Sequence, residues 1–275
     1  MFYKDQNILE ESVYSFIKEK EIYDNTYFKV YLFLVALIAV AWLTFLAVRS
    51  QLQHRFDLQK KEIEFAKEQI RMGNETILAI AKTVDAKDEN TSQHSMRVSE
   101  YSVMIAEELG FKKAECENLR KAALLHDIGK IGIPDRILNK PSRLDDDEYE
   151  IMKTHVTRGA EILKGFTMID HVDEGARYHH ERWDGSGYAD GLKGEEIPLY
   201  ARIIGIADAF DAMTANRVYR KKLDFDFVVS EIKRCRGTQF DPKIADILLS
   251  LIDRGKIDVE ELYNESKHKQ EGKQS

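Results

Sequence analysis

The sequence predicts an all-α protein preceded by one transmembrane helix, and three observations carry that prediction. Apolar residues recur at helical spacing through seven segments: 93–109, 114–126, 145–164, 169–180, 198–215, 224–235 and 241–252. No strand-like alternation persists anywhere after residue 80, and the longest polar loops are "NKPSRLDDDE" and "DGSGYADGLKGEEIP". Residues 30–48, "VYLFLVALIAVAWLTFLAV", contain no charge.

Composition sets the outer limits. The chain has 275 residues, 43% hydrophobic and 32% charged, which is the balance of a folded protein rather than a disordered one. Cys116 and Cys235 are its only cysteines, so no disulfide framework or cysteine zinc site can form within one chain, and a reducing cytoplasm suits it. A net charge of −7 argues against DNA or RNA polymers as partners. Any phosphate-bearing ligand must then be met by a local basic cluster.

The elements follow in order. Residues 1–29 form a short polar, acidic leader, expected outside the cytoplasm and too short for a ligand-binding domain. At 1.5 Å per residue the uncharged run of 30–48 spans about 28 Å, close to the thickness of a bilayer core. It is too long, and sits behind too polar a leader, for a cleaved signal peptide. Lys29 and Arg49 bracket the run, and Arg49, Arg55, Lys60, Lys61 and Lys67 outnumber Lys18, Lys20 and Lys29. That bias places the C-terminal side in the cytoplasm and predicts a single-pass protein of the inner membrane. Residues 49–80 read as a linker helix. Within it Phe56, Ile63, Ile70 and Ile77 recur every seven residues, a seam suited to a homodimer through residues 50–80, although the second seam of Gln59, Ala66, Gly73 and Ile80 is weak. Residues 75–260 are the expected catalytic domain and 261–275 a frayed tail.

Chemistry enters with the histidines. His94, His126, His155, His179 and His180 each fall in or at the end of a helical segment, beside acidic or small polar neighbours. One such histidine is usually structural; five of them, with Asp127 directly after His126 and Asp208 on "IIGIADAFDAMT", are harder to explain that way. Imidazole and carboxylate bind first-row divalent ions, and two ions need about seven such groups with positions left open for water and substrate. His126-Asp127 follows the apolar run "LRKAALL", where an unpaired carboxylate would be costly to bury without a metal.

The strings "HSMRV" (94–98), "HDIGKIGIP" (126–134), His155, "HHERWDGSGYADGLKGEEIPLYARI" (179–203) and "ADAFDAMTANRVYR" (207–220) resemble the HD-GYP family of cyclic di-GMP phosphodiesterases, a branch of the HD metal-dependent phosphohydrolases. The resemblance runs from about residue 75 to 255. It implies an all-helical HD-type domain around a metal cluster, with two divalent ions, iron or manganese, as cofactors. Carried over by position, His94, His126, Asp127 and Asp208 would hold one ion, and Asp127 would bridge to a second held by His155, His179 and His180. The glycines after His180 would turn the chain into a loop over the substrate.

Two departures from the family pattern matter. Its Gly-Tyr-Pro is here Gly187-Tyr188-Ala189, which keeps the tyrosine but loosens the turn. Members with three metals place a glutamate four residues before the first histidine; that position is Asn90, although Glu89 is adjacent and Asp211, a possible ligand of a third ion, is in place. Two ions are therefore expected rather than three.

A mechanism follows from these groups. Two close ions would lower the pKa of a bridging water, giving a hydroxide that attacks phosphorus in line. Lys130 would reach the phosphate or the departing 3′ oxygen as cation or proton donor. Arg217 and Arg220, three residues apart, would fork the non-scissile phosphate, thickened by Lys221 and Lys222. Tyr188 would hydrogen-bond or stack near a base. The expected function is a membrane-anchored phosphodiesterase that opens cyclic di-GMP to linear pGpG or further to GMP. The alternatives are a catalytically weak cyclic-dinucleotide receptor and an HD hydrolase for another cyclic dinucleotide.

Overall fold

The structure, a computed structural model, describes residues 2–88, 93–167, 169–214 and 225–257, with side chains from residue 10 onward. Among the described residues there are nine α-helices, two 3₁₀ turns (Ile128–Gly132 and Gly194–Glu196) and an isolated bridge between Arg236 and Phe240 in place of any strand. The helices are α1 (Phe2–Lys87), α2 (His94–Glu108), α3 (Lys113–Leu124), α4 (Asp135–Leu138), α5 (Asp146–Leu163), α6 (Val172–Tyr178), α7 (Leu199–Thr214), α8 (Phe225–Cys235) and α9 (Pro242–Asp253). The chain divides into two compact units, Met1–Arg71 and Met72–Ser275.

The first unit is helical throughout its described length. Its apolar run is long and apolar enough to cross a membrane. Leu34, Ile38, Trp42 and Phe45 are all exposed, so the run is apolar on every side without protein to cover it. Of the four spaced positions of the linker, Phe56, Ile63 and Ile70 are exposed as well, whereas Ile77 is buried in the core of the second unit and drops out of the seam.

The second unit is built around α7. Ile203, Ile204, Ile206, Ala207 and Phe210 are buried there against Val98, Tyr101 and Ile105 of α2 and Leu119, Ala122 and Ala123 of α3. The Phe210 and Tyr101 rings meet edge to face with centroids 5.0 Å apart, a geometry that favours the ring quadrupoles. Local chemistry fixes where the surrounding helices begin. At α5 the Asp145 side chain accepts from the Glu148 N–H at 2.9 Å and the Glu148 side chain from the Asp145 N–H at 3.0 Å, so two otherwise orphaned donors are satisfied. At α9 the Asp241 side chain accepts from the Lys243 N–H at 2.8 Å, and Pro242 supplies a preset φ where no N–H is needed.

Two helices end earlier than their periodicity suggests. α3 stops at Leu124 instead of continuing to 126, and α6 stops at Tyr178 instead of continuing to 180. His126, Asp127, His179 and His180 therefore sit in turns. Asn90, Glu89, Arg217, Arg220, Lys221, Lys222 and the tail 261–275 lie outside the described residues.

Candidate metal centre

Five helices and the turns after two of them bring the seven candidate donors together. His94 opens α2, His126 and Asp127 follow α3, His155 lies on α5, His179 and His180 follow α6, and Asp208 lies on α7. The ligand atoms of His94, His126 and Asp208 lie within 4.8 Å of one another, as do those of His155, His179 and His180 and those of His126, Asp127 and His179. Asp127 stands between the two sets. Its Oδ2 is 3.4 Å from His126 Nε2 and 3.9 Å from His94 Nε2, while its Oδ1 is 3.4 Å from His155 Nε2 and 3.8 Å from His179 Nε2.

The far side of each ring fixes its tautomer. His126 Nδ1 meets the Ala123 carbonyl at 2.7 Å, His155 Nδ1 meets that of Met152 at 2.8 Å, and His179 Nδ1 meets those of Gly175 and Ala176 at 3.1 and 3.0 Å. A carbonyl only accepts, so each Nδ1 carries the hydrogen and each Nε2 of the neutral ring presents a lone pair. Those three Nε2 atoms are buried and have no hydrogen-bond partner. Buried nitrogens are rarely left that way, and a divalent ion at their point of convergence would satisfy them.

The electrostatics divide the cluster in two. Burial pushes His179 well below the ordinary imidazole range, lowers His155, and takes His180 down to about 4, so this triad stays neutral and able to ligate. Burial also opposes charge on His94, but hydrogen bonds to Asp208 and Asp211 outweigh it and hold the ring at about 10. Burial would raise the Asp127 carboxyl, yet Lys130, His126 and His155 hold it well below the usual range. The carboxylate side of the centre thus attracts a cation, in keeping with the donor set.

Asp211, the possible ligand of a third ion, is hydrogen-bonded to two side chains of α2. Its carboxylate accepts from Arg97 Nε at 2.6 Å and Nη2 at 2.9 Å, and takes the Nδ1–H of His94 at 2.8 Å. His94 Nε2, on the other side of the ring, is 3.2 Å from Asp208 Oδ1. Asp211 thereby orients His94 from behind, as carboxylates do for metal-ligating histidines. Arg97 was not singled out by the sequence, since its partner lies 114 positions away.

The loop after His180 folds back on the centre. The Tyr188 N–H donates to the His180 carbonyl at 3.3 Å, and the Tyr188 ring lies 5.0 Å from that of His180. A Cβ at Gly187 would fall 2.4 Å from the Arg182 nitrogen, which explains glycine at that point of close approach. Glu181 Oε1 accepts from the Asp190 N–H at 2.7 Å and the Gly191 N–H at 2.9 Å, pinning the loop directly after Ala189, where the family has proline. A cavity of about 370 Å³ opens beside the centre, lined by His179, His180, Tyr188, Asp208, Trp183 and Arg202 among others, and falls within the usual range of small-molecule sites.

Lys130 reaches the centre from the 3₁₀ turn. Its Nζ is 2.7 Å from Asp127 Oδ2 and 3.0 Å from Asp88 Oδ2. Burial opposes the ammonium, but the two carboxylates outweigh it and hold Lys130 above its ordinary range.

Known proteins resemble the chain in sequence and in fold. The HD domain family profile matches residues 79–244. The chain is 38% identical over 213 residues to the cyclic di-GMP phosphodiesterase response regulator RpfG of Xanthomonas campestris, an alignment covering 76% of the chain and 55% of that protein. It is 39% identical over 177 residues to the 3′3′-cGAMP-specific phosphodiesterase 2 of Vibrio cholerae, covering 64% of the chain and 34% of that protein. The chain thus spans about half or less of the length of these relatives. Among solved structures, a cyclic GMP-AMP-specific phosphodiesterase of V. cholerae superposes with a TM-score of 0.53 at 23% identity, over 65% of this chain and 48% of that one, a likeness of fold.

Proposed function

The chain belongs to the HD domain family, and we propose that it is a membrane-anchored, metal-dependent phosphodiesterase that hydrolyses cyclic di-GMP to linear pGpG and on to GMP. The observation that carries the reading is the convergence of three buried, unpartnered Nε2 atoms on Asp127. His94, His126, Asp127 and Asp208 would hold one divalent ion, and His155, His179, His180 and Asp127 a second. When bound, manganese or iron supplies water activation and withdraws charge from phosphoryl oxygens. The chain's own groups do the rest. The carbonyls behind His126, His155 and His179 hold their rings in the ligating tautomer. Lys130 places positive charge at the edge of the centre, where a leaving oxygen gathers negative charge. Tyr188, its ring 5.0 Å from that of His180 at the cavity wall, would hydrogen-bond or stack near a base of the substrate.

Arg217 and Arg220 are assigned by their place in the sequence to the non-scissile phosphate. Replacing both with alanine is expected to raise KM tenfold or more with metal retained, given about 1.5 to 3 kcal/mol for each charged hydrogen bond lost. Steady-state kinetics beside metal analysis check this, and an unchanged KM would remove the pair from the site.

The 39% identity to a 3′3′-cGAMP-specific enzyme supports a second reading, in which another cyclic dinucleotide is preferred. Full-length protein in detergent, loaded with manganese or iron, incubated with cyclic di-GMP, 3′3′-cGAMP and cyclic di-AMP and resolved by chromatography separates the two. Binding without turnover of any of them would instead make the chain a receptor.

The uncharged run of α1 is read as a single-pass anchor in the inner membrane, with residues 1–29 outside and the catalytic unit in the cytoplasm. The basic flank and the cytoplasmic supply of substrate both support that orientation. Exposed Phe56, Ile63 and Ile70 would pair two chains just under the bilayer, where tethering raises local concentration. A C-terminal reporter is expected to be active only in the cytoplasm. Crosslinked dimers are expected to weaken when Ile63 and Ile70 become lysine; crosslinking indifferent to both would dispose of the seam and leave the catalytic reading untouched.

A further inference from the structure

The last turn of α1 touches the scaffold of the metal centre at three points, and none of the motifs accounts for it. Asp85 accepts from the Ser95 hydroxyl at 2.6 Å and from the Ser95 N–H at 3.3 Å, at the start of α2 beside His94. Lys87 Nζ donates to the carbonyls of Lys130, Ile131 and Ile133 at 3.1, 2.9 and 2.6 Å. Asp88 takes the Lys130 ammonium at 3.0 Å. Asn139 closes the junction from the other side, donating to the Lys87 carbonyl at 3.0 Å.

Each contact has a physical consequence. Three carbonyl oxygens crowd together unfavourably unless a cation gathers them, so Lys87 sets the shape of the turn from which Lys130 projects. Lysine carries its charge on four flexible carbons, and an ammonium held on one side only would swing. Here it is held between two carboxylates, Asp127 at 2.7 Å and Asp88 at 3.0 Å. If Asp127 gives its oxygens to metal ions, Asp88 becomes the anchor that keeps Lys130 in place.

We propose that Asp88 is a positioning residue for Lys130, holding its ammonium where positive charge meets the leaving oxygen of the phosphodiester, and that Lys87 fixes the turn beneath it. This rests on the phosphodiesterase reading above.

The test uses full-length, manganese-loaded protein and two substrates. Cyclic di-GMP leaves through an alkoxide that needs nearby positive charge. Bis(p-nitrophenyl) phosphate leaves through a phenolate that delocalises its own charge. Asp88→Asn is expected to lower kcat on cyclic di-GMP by about tenfold to a hundredfold, the range of one charged hydrogen bond, with KM nearly unchanged. Turnover of the nitrophenyl ester, metal content and helicity should stay near their original values. Asp88→Glu should restore most of the loss, and Asp88→Asn should add little in a Lys130→Met background. Unchanged kcat on cyclic di-GMP, an equal fall on both substrates, or a full additional loss beside Lys130→Met would overturn the proposal. If Asp88→Asn loses helicity, Asp88→Glu decides: activity close to the original protein's in a folded, metal-loaded protein supports the proposal, and activity as poor as that of Lys130→Met overturns it. Original protein that cleaves neither ester would sink the phosphodiesterase reading itself, and this inference with it.

Discussion

Alanine at position 127 is expected to empty the metal centre and to abolish turnover while leaving helical content nearly unchanged. Among the described residues Asp127 is the one carboxylate whose two oxygens face both donor sets, with His126 and His155 each at 3.4 Å. Without it the facing histidines are neutral donors alone, and no anion remains between the sites to offset the charge of two ions. The fold should tolerate the change. Asp127 lies in a turn after α3 rather than within a helix, and Lys130 keeps Asp88 as its partner. Removal of a bridging ligand should cost well over a hundredfold in turnover, more than loss of an outer-shell partner, which is about 10- to 100-fold. Metal analysis by mass spectrometry, circular dichroism and product chromatography on one preparation check all three parts. An undiminished metal load would take Asp127 out of the site.

What the sequence made legible and what it hid divide along a physical line. Local patterns were readable. The periodicity of "IIGIADAF" places α7, and the early acidic run of 145–148 coincides with the start of α5. The candidate histidines and aspartates, scattered from residue 94 to 208, lie together in space as the family order suggested. The ends of α3 and α6 were not readable, because the apolar pattern continues past the point where backbone groups leave the helix, and the turns there aim the histidines. Long-range pairs left no local trace. Arg97 and Asp211 are 114 positions apart, and Lys130 and Asp88 are 42. The contacts of Asp211 with Arg97 and His94 Nδ1 are likewise invisible in the motif that singled it out.

Gly129→Ala should be nearly as damaging as loss of a ligand, although it removes none. Gly129 lies between Asp127 and Lys130 in the 3₁₀ turn, where the turn crosses α5 next to His155. A Cβ there would fall 1.8 Å from the His155 carbonyl oxygen and 2.6 Å from the Gly159 nitrogen. Both are backbone atoms, so no side-chain rotation relieves the clash, and the turn must move away from α5 by well over an ångström. That shift separates Asp127 from His155 and carries Lys130 with it. Misplacement of about 1 Å can cost a hundredfold in rate, so turnover is expected to fall by about that factor. Overpacking should also cost about 1 to 3 kcal/mol of stability, read as a lowered denaturation midpoint. An ion at His155, His179 and His180 should bind more weakly than one at His94, His126 and Asp208, because only the former set draws a ligand from α5, against which the added Cβ pushes. Gly159→Ala is the informative companion, since its Cβ would meet the Gly129 nitrogen at 3.3 Å and the Ala176 side chain at 3.4 Å, contacts that small adjustments absorb. It should lose less than about tenfold in turnover. Equal effects of the two substitutions, or full activity in Gly129→Ala, would mean that the turn does not depend on its contact with α5 to hold Asp127 in place.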